Sequence, residues 1–258
     1  MSVVIAIANQ KGGVGKTTTA INLGFALAER GYRILLVDLD PQSALSGAVG
    51  LETYSLSRTV YDVLVDSRLA AQDVILSVRD GVDVLPSNID LAAAELELVS
   101  ALGREYILKE ALQPILDRYD YILLDTPPSL GLLTVNALAV ADQVIIPLQA
   151  EYLALRGMRS LLATIEKIRA KINPRLKLRG ILGTMYNQRT LHAQEVMQEI
   201  RSLFGDRVFD VVIKSSIRFA EAPVAHLPIL EYDPKHDGAM AYRQLAEEVI
   251  NGEKTGQS

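Results

Sequence analysis

Two lysines flank a run of glycines directly after the first apolar segment of the chain. Residues 8–23 read ANQKGGVGKTTTAINL, and Lys11 stands five positions before Lys16. Glycines let a loop point its backbone N–H groups at phosphate oxygens, and the N-terminus of a following helix favours the same anions. In such a loop Lys16 reaches the β- and γ-phosphates and the Thr17 hydroxyl ligates Mg²⁺. The predicted ATP-binding loop comprises Gly12, Gly13, Val14, Gly15, Lys16, Thr17 and Thr18.

This loop departs from the usual phosphate-loop pattern in one place. The pattern G-x-x-x-x-G-K-[ST] requires glycine at position 10, where the chain has Gln10. One lysine is enough to hold the phosphates, so Lys11 needs a separate explanation. From the residues alone it is either a ligand of a nucleotide or a solvated loop residue.

Acidic residues end two strongly apolar segments, ILLVDLDPQ and YILLDTPPS. The first places Asp38 and Asp40 at the end of a buried strand, and the second places Asp125 in the same way. Buried carboxylates are costly unless cations or hydrogen bonds compensate them. Either aspartate motif alone could be a helix cap. Together with the glycine loop, they predict metal and water chemistry at one edge of a sheet.

The elements that must position these residues alternate between short strands and longer helices. The predicted strands cover residues 3–8, 33–38, 82–87, 121–126, 143–149, 177–186 and 208–213. Several are apolar along nearly their whole length, which is typical of a parallel sheet covered on both faces. We predict a doubly wound α/β fold in which ligands bind at the carboxyl ends of the strands. One domain spans 1–252 and a polar tail spans 253–258.

Composition excludes several classes of site. The 258 residues contain no cysteine, which rules out disulfides, thiolate metal sites and cysteine nucleophiles within this chain. The three histidines, His192, His226 and His236, follow no zinc spacing. No apolar run approaches the ~20 residues that span a bilayer, and no basic leader precedes the first strand. We expect a cytoplasmic protein.

The charge distribution is uneven although the chain is acidic overall, with a net charge of -5. Residues 151–220 carry 13 Lys+Arg and 6 Asp+Glu, a net of +7, so the remainder carries -12. Such asymmetry is how a localised phosphate-binding face would look.

The loop KGGVGKTT is a deviant Walker A motif, and the chain resembles the ParA/Soj group of the ParA/MinD ATPase family over essentially its full length. The resemblance implies that Lys11 crosses an ATP-dependent homodimer interface to the partner's nucleotide, as an arginine finger does. It also implies that Asp38 lies near the Mg²⁺ shell, that Asp40 positions the attacking water and that Asp125 holds Mg²⁺. Residues 126–128 would form a second switch. Ser43-Ala44 replaces the Gly-Asn that many relatives carry, which leaves the mobility of the first switch open.

The same resemblance assigns the base and DNA contacts. Asn187 is the candidate for the adenine edge, with a simple turn role as the alternative. Arg189 and Arg218 match the family's DNA contacts, and Lys214 adds a nearby cation. Contacts of this kind engage phosphates, so binding would be independent of sequence and sensitive to salt. The implied partners are nonspecific double-stranded DNA, on the nucleoid, and a ParB/Spo0J-like centromere-binding protein that stimulates hydrolysis during chromosome or plasmid segregation.

Other members of the same fold remain alternatives. A MinD-like membrane cycle is disfavoured because the segment EEVINGEKTGQS lacks an apolar face. Electron transfer of the nitrogenase-reductase kind fails for want of cysteine. A metabolic ligase is disfavoured because Lys11, DLDPQ and RFAEAP occur together. A cargo-positioning ATPase uses the same ATPase and the same nucleoid binding, and stays open.

Overall fold

The computed structural model describes residues 2–151, 154–187 and 190–255. Its strands are β1 Val3–Ile7, β2 Ile34–Asp38, β3 Leu76–Arg79, β4 Val82–Leu85, β5 Tyr121–Asp125, β6 Gln143–Gln149, β7 Lys177–Tyr186 and β8 Val208–Lys214. Its helices are α1 Lys16–Ala28, α2 Ala44–Ala48, α3 Val60–Val65, α4 Leu91–Glu97, α5 Ile107–Leu112, α6 Leu132–Val140, α7 Ala154–Lys171, α8 Leu191–Phe204, α9 Arg218–Val224, α10 Ile229–Tyr232 and α11 Asp237–Thr255. Short 3₁₀ turns lie at Ala71–Asp73, Leu98–Ser100, Gln113–Arg118 and Gly205–Arg207.

The strands form one sheet in the order β3-β4-β2-β5-β1-β6-β7-β8. Every neighbouring pair is parallel except β3 with β4. The predicted doubly wound, mostly parallel α/β fold is therefore confirmed. The strand β3 was not predicted; it is a four-residue edge strand whose side chains alternate between half-buried and exposed. Its pattern is too short and too polar to separate from a loop.

Apolar side chains cover both faces of the sheet, as parallel strands require. Successive residues of β1 belong to different apolar clusters. Val4 belongs to the cluster between the sheet and helices α3 to α8, and Ile5 belongs to the cluster that includes α1 and α11. Helix α1 lies close to the sheet because Gly24 has no side chain. A Cβ built there would stand 2.7 Å from a methyl group of Leu36. This close packing fixes the helix that follows the phosphate loop.

The polar chain end is more regular than the sequence suggested. Helix α11 continues to Thr255, so the first three residues of the predicted tail 253–258 are helical. Among the helices described, none is both long and apolar enough to cross a membrane.

Candidate nucleotide-binding site

The loop between β1 and α1 has the backbone of a phosphate-binding site. Gly13 and Gly15 adopt positive φ angles of 70° and 84°, which favour glycine. Helix α1 begins at Lys16, directly after this turn, so its N-terminal N–H groups face the loop. The Thr184 hydroxyl donates to the Val14 carbonyl at 2.8 Å and ties the loop to β7. The loop backbone therefore has the shape of an anion cradle, and its binding of ATP phosphates stays a prediction.

Asn9 organises the start of this loop, a role that the sequence analysis did not assign. Its side-chain amide donates to the Pro147 carbonyl at 2.7 Å, and its Oδ1 accepts from the Lys11 N–H at 3.0 Å. Asn9 is almost completely buried. It therefore bridges β6 and the loop and fixes the direction in which the chain leaves β1.

Lys16 is buried although it carries a charge. Its Nζ donates to the Lys11 carbonyl at 3.3 Å, across the mouth of the loop. Burial lowers the pKa of Lys16, and the carboxylates of Asp125 and Asp40 oppose this shift. A buried ammonium is costly without anionic partners, so the site favours a ligand that supplies negative charge at this point.

Asp125 ends β5 beside Asp38 of β2, as their direct pairing in the sheet shows. Asp125 is fully buried, and within the described residues neither carboxylate oxygen accepts a hydrogen bond of ordinary geometry. Burial raises the pKa of Asp125 well above its usual range, and the charge of Asp38 adds to the rise. The Thr17 hydroxyl and Lys16 ammonium oppose it. The net effect is an unfavourable environment for a carboxylate, and a cation would relieve it.

A magnesium ion fits this environment. Carboxylate and hydroxyl oxygens are the protein ligands that Mg²⁺ takes, usually one or two together with phosphates and water. Across the part of the chain that is described, no group of three or more His, Asp or Glu forms a metal site by itself. The predicted set of Thr17, Asp38 and Asp125 therefore suits an ion that arrives with a nucleotide and is held jointly with its phosphates.

Asp38 is already well hydrogen-bonded in this arrangement. One oxygen accepts from the Asp40 N–H at 3.1 Å, and the other accepts from both the N–H and the hydroxyl of Ser46, at 2.9 and 2.7 Å. Burial raises the pKa of Asp38 to about 6, and the hydrogen bonds from Ser46 limit the rise. The structure thus gives Asp38 a clear role in holding the segment between β2 and α2, the predicted first switch, whereas its metal role stays a prediction.

Asp40 leads from β2 towards α2 and remains partly exposed. Its Oδ1 accepts from the Gln42 N–H at 2.9 Å, which closes a tight turn. Ser43 has a φ angle of 48°. This left-handed conformation costs a side-chain-bearing residue about 1–2 kcal/mol. The switch therefore adopts a turn that glycine would accept without strain.

Lys11 lies at the rim of the site and is held by residues of its own subunit. Its Nζ lies 2.5 Å from Glu151 Oε2 and 3.2 Å from Gln149 Oε1; Gln149 is the last residue of β6 and Glu151 follows the strand. The Lys11 and Glu151 side chains are 45% and 48% exposed. Since the pair is accessible to water, Lys11 is free to exchange one anionic partner for another.

A cavity of about 430 Å³ adjoins the phosphate loop and is large enough for a nucleoside. It is lined mainly by apolar side chains, with Gly15 and Thr18 at the phosphate end and Met185, Ile213, Ile217 and Tyr242 among the walls. Met185 has a left-handed φ of 48°, which marks it as a strained residue beside the cavity. Asn187 does not line the described cavity. Its carbonyl accepts from the Thr190 N–H at 3.2 Å in a turn, so its adenine contact stays a prediction.

The predicted DNA residues have different surroundings. Arg218 begins α9 and pairs with Glu221 at 2.8 Å and with Asp233 at 3.8 Å. Lys214 ends β8, lines the same cavity of about 430 Å³ and pairs with Asp237 at 3.1 Å. Both are partly exposed. Arg189 lies outside the described residues.

One run of cations in the basic segment, RAKINPRLKLR at residues 169–179, lies far from Lys214. Lys177 begins β7, whereas Lys214 pairs with Tyr186 at its end. A strand of ten residues spans about 30 Å. The run RAKINPRLKLR therefore lies towards the opposite edge of the sheet and does not extend the face around Lys214.

The fold and this edge of the sheet define a P-loop nucleotide-binding protein. A family model for an AAA domain matches residues 2–178. The chain is 46% identical to the chromosome partitioning protein ParA of Caulobacter vibrioides over 257 residues, covering 99% of this chain and 96% of the relative. It is also 46% identical to the sporulation initiation inhibitor protein Soj of Bacillus subtilis, covering 96% and 98%.

Among solved structures, a Mycobacterium smegmatis protein named cobyrinic acid a,c-diamide synthase, with bound ADP and magnesium, matches at 40% identity and a TM-score of 0.88. The match covers 99% of this chain and 97% of that one. McdA from Cyanothece matches at a TM-score of 0.86 and 22% identity, which shows the shared fold alone. The chain therefore belongs to the ParA/Soj family of ParA-type partitioning ATPases, as its loop motif predicted.

Proposed function

We propose that this protein hydrolyses ATP with Mg²⁺ and uses the cycle to segregate DNA. The observation that carries the proposal is the convergence of a buried lysine, Lys16, with Asp40 and Asp125 beside a preformed phosphate loop. These groups match what phosphoryl transfer needs, namely cations on the transferred group and a carboxylate near the water. The family membership supports the same activity.

Each residue has a distinct task in the proposed reaction. Lys16 and the loop N–H groups hold the β- and γ-phosphates, and Asp40 orients the attacking water and takes up its proton. Thr17 and Asp125 would hold Mg²⁺, with Asp38 beside them. The ion supplies charge neutralisation on the phosphate oxygens. The apolar cavity beside Met185 accommodates the base.

ATP binding is proposed to bring two copies of the chain together. In the single chain Lys11 pairs with Glu151 at the rim of the site. A second nucleotide presented across an interface would offer a stronger anionic partner, because phosphates carry more charge than one carboxylate. Lys11 would then leave Glu151 and stabilise charge in the partner's site.

The dimer is proposed to bind double-stranded DNA through Arg218, Arg189 and Lys214, without reading sequence. Two copies double the number of phosphate contacts, and affinity rises steeply with that number. Hydrolysis, stimulated by a ParB/Spo0J-like partner, would release the protein from the nucleoid. The alternative function, positioning of a cargo other than a chromosome or plasmid, would use the same cycle of ATP binding, DNA binding and hydrolysis.

Arg218→Glu tests the DNA proposal. Binding of a duplex of unrelated sequence in ATP should fall. The slope of log K against log salt should shrink by about 1 for each phosphate that is no longer neutralised, or about 2 per dimer. ATP binding should be unchanged. Arg68→Glu is the matched control, since Arg68 is an exposed arginine paired with Asp66 on another part of the surface. Equal effects of the two variants would reject Arg218 as a specific DNA contact.

The name of the M. smegmatis structure raises amide ligation as a second candidate. This chain has no cysteine, so it cannot release ammonia from glutamine through a cysteine nucleophile of its own. ATP turnover that depended on a carboxylic acid and ammonia, and that DNA left unchanged, would favour the ligase over the partition protein.

A further inference from the structure

The hydroxyl of Ser46 occupies the centre of a buried hydrogen-bond network behind the first switch. It donates to Asp38 Oδ2 at 2.7 Å and accepts from the Ser87 N–H at 3.0 Å. All three residues are fully buried. A hydroxyl can donate and accept at the same time, which neither an alanine nor a purely accepting group can do.

This network holds the backbone of Asp40 from both sides. Asp38 Oδ1 accepts from the Asp40 N–H at 3.1 Å, and the Ser87 hydroxyl donates to the Asp40 carbonyl at 3.0 Å. Ser46 touches both anchors, so one hydroxyl links the two hydrogen bonds that fix this residue's backbone. The side chain of Asp40 stays partly exposed towards the nucleotide edge.

The anchors come from three separate elements. Asp38 ends β2, Ser46 lies in the five-residue helix α2, and Ser87 follows β4, 41 residues beyond Ser46. A buried polar group that loses its hydrogen-bond partner destabilises the fold, because it is no longer solvated by water either. An alternative position for Asp40 would therefore have to break several such contacts at once, and the network selects one position.

We propose that Ser46 is a positioning residue for ATP hydrolysis. It touches no phosphate-loop residue in the network described, and acts by fixing Asp40 through Asp38 and Ser87. Asp40 can then hold the attacking water in line with the transferred phosphate. This inference rests on the proposed role of Asp40.

Loss of the hydroxyl should slow the chemical step more than it weakens nucleotide binding. Misplacement of a catalytic group by about 1 Å can cost up to about 100-fold in rate. We expect Ser46→Ala to lower single-turnover hydrolysis by about 10- to 100-fold, with the Kd for ATP within about threefold of wild type. Ser46→Thr restores a hydroxyl and should recover most of the rate. Ser87→Ala removes the donor to the Asp40 carbonyl, and a longer contact of 3.4 Å to the Asn88 carbonyl, but leaves the Ser46 hydroxyl in place, so it should give a smaller fall.

The experiment measures single-turnover ATP hydrolysis, ATP affinity and thermal unfolding on wild type, these three variants and Asp40→Ala. A wild-type rate in Ser46→Ala, or equal losses of rate and affinity with no recovery in Ser46→Thr, would overturn the inference. If Ser46→Ala does not fold, the rate of Ser87→Ala decides, and an unchanged rate there refutes the proposal.

The same measurements separate this inference from the proposed function. A normal rate in Asp40→Ala removes the role of Asp40 itself. A slow Asp40→Ala beside a normal Ser46→Ala rejects only the positioning role.

Discussion

Removal of the Glu151 charge tests whether Lys11 is held in its own subunit until a second copy binds. In Glu151→Gln, the ion pair of 2.5 Å between Lys11 Nζ and Glu151 Oε2 loses its negative charge, and only neutral acceptors remain near the lysine. Lys11 should then be released more easily towards a partner's nucleotide. We therefore predict stronger ATP-dependent dimerisation.

The magnitude follows from the exposure of the pair. The two side chains are 45% and 48% exposed, so the pair belongs with surface ion pairs worth about 0.2–1 kcal/mol. One released lysine then changes the association constant by about 1.4- to 5-fold, since about 1.4 kcal/mol is a factor of ten. A symmetric dimer releases two lysines, which gives about 2- to 30-fold. Salt above about 0.5 M should shrink the gain.

Sedimentation with a slowly hydrolysed ATP analogue measures the dimer constant directly. Glu247→Gln is the control, since Glu247 forms an ion pair of equal length with Arg30 beyond the far end of α1. It should leave dimerisation unchanged. Weaker dimerisation of Glu151→Gln would refute the reasoning, because Glu151 would then contribute to the dimer and not compete with it.

Two further predictions concern packing and pH. Gly24→Ala should lower the free energy of unfolding in urea by about 1–3 kcal/mol, because its Cβ would stand 2.7 Å from Leu36. Gly47→Ala in α2 is the control: its Cβ meets open space, so the change should be neutral or stabilising by up to about 1 kcal/mol. Equal effects of the two would contradict the packing argument. Because the folded-state pKa of Asp38, about 6, exceeds its ordinary 3.8, the folded state retains this proton longer, and the contribution of Asp38 to the free energy of unfolding should fall as pH rises from about 4 to 6. The difference between these two pKa values corresponds to about 3 kcal/mol, which Asp38→Asn should remove from the pH dependence, and identical pH profiles would exclude this assignment.

Much of the fold was predictable because apolar strands carry a local signal. The strands β6 and β7 begin and end where the sequence placed them, and β1, β2 and β5 differ by one residue. The phosphate loop was also local, since its glycines and Lys16 lie within a few residues. Asp38 and Asp125 each end a strand, and the parallel pairing of β2 with β5 places them side by side at the carboxyl edge of the sheet.

The parts that could not be predicted depend on contacts between distant segments. Lys11 pairs with Glu151, which lies 140 residues later in the chain, and no local sequence pattern predicts that pair. The hydrogen bond between Ser46 and Ser87 could not be predicted either, because nothing in the sequence distinguishes a buried serine from a serine in an exposed loop. The base cavity is built by β7, β8 and α11 together, which is why Lys214 lines it although it was proposed only for DNA.

The most direct test of the proposed cycle is DNA affinity of the wild-type protein in three nucleotide states. An unrelated duplex is titrated with ATP and Mg²⁺, with ADP and Mg²⁺, and without nucleotide, at one salt concentration. We predict tight binding only in the presence of ATP and Mg²⁺, and release of the duplex as ATP is consumed. Equal affinity in all three states would contradict the claim that the nucleotide controls the DNA-binding face.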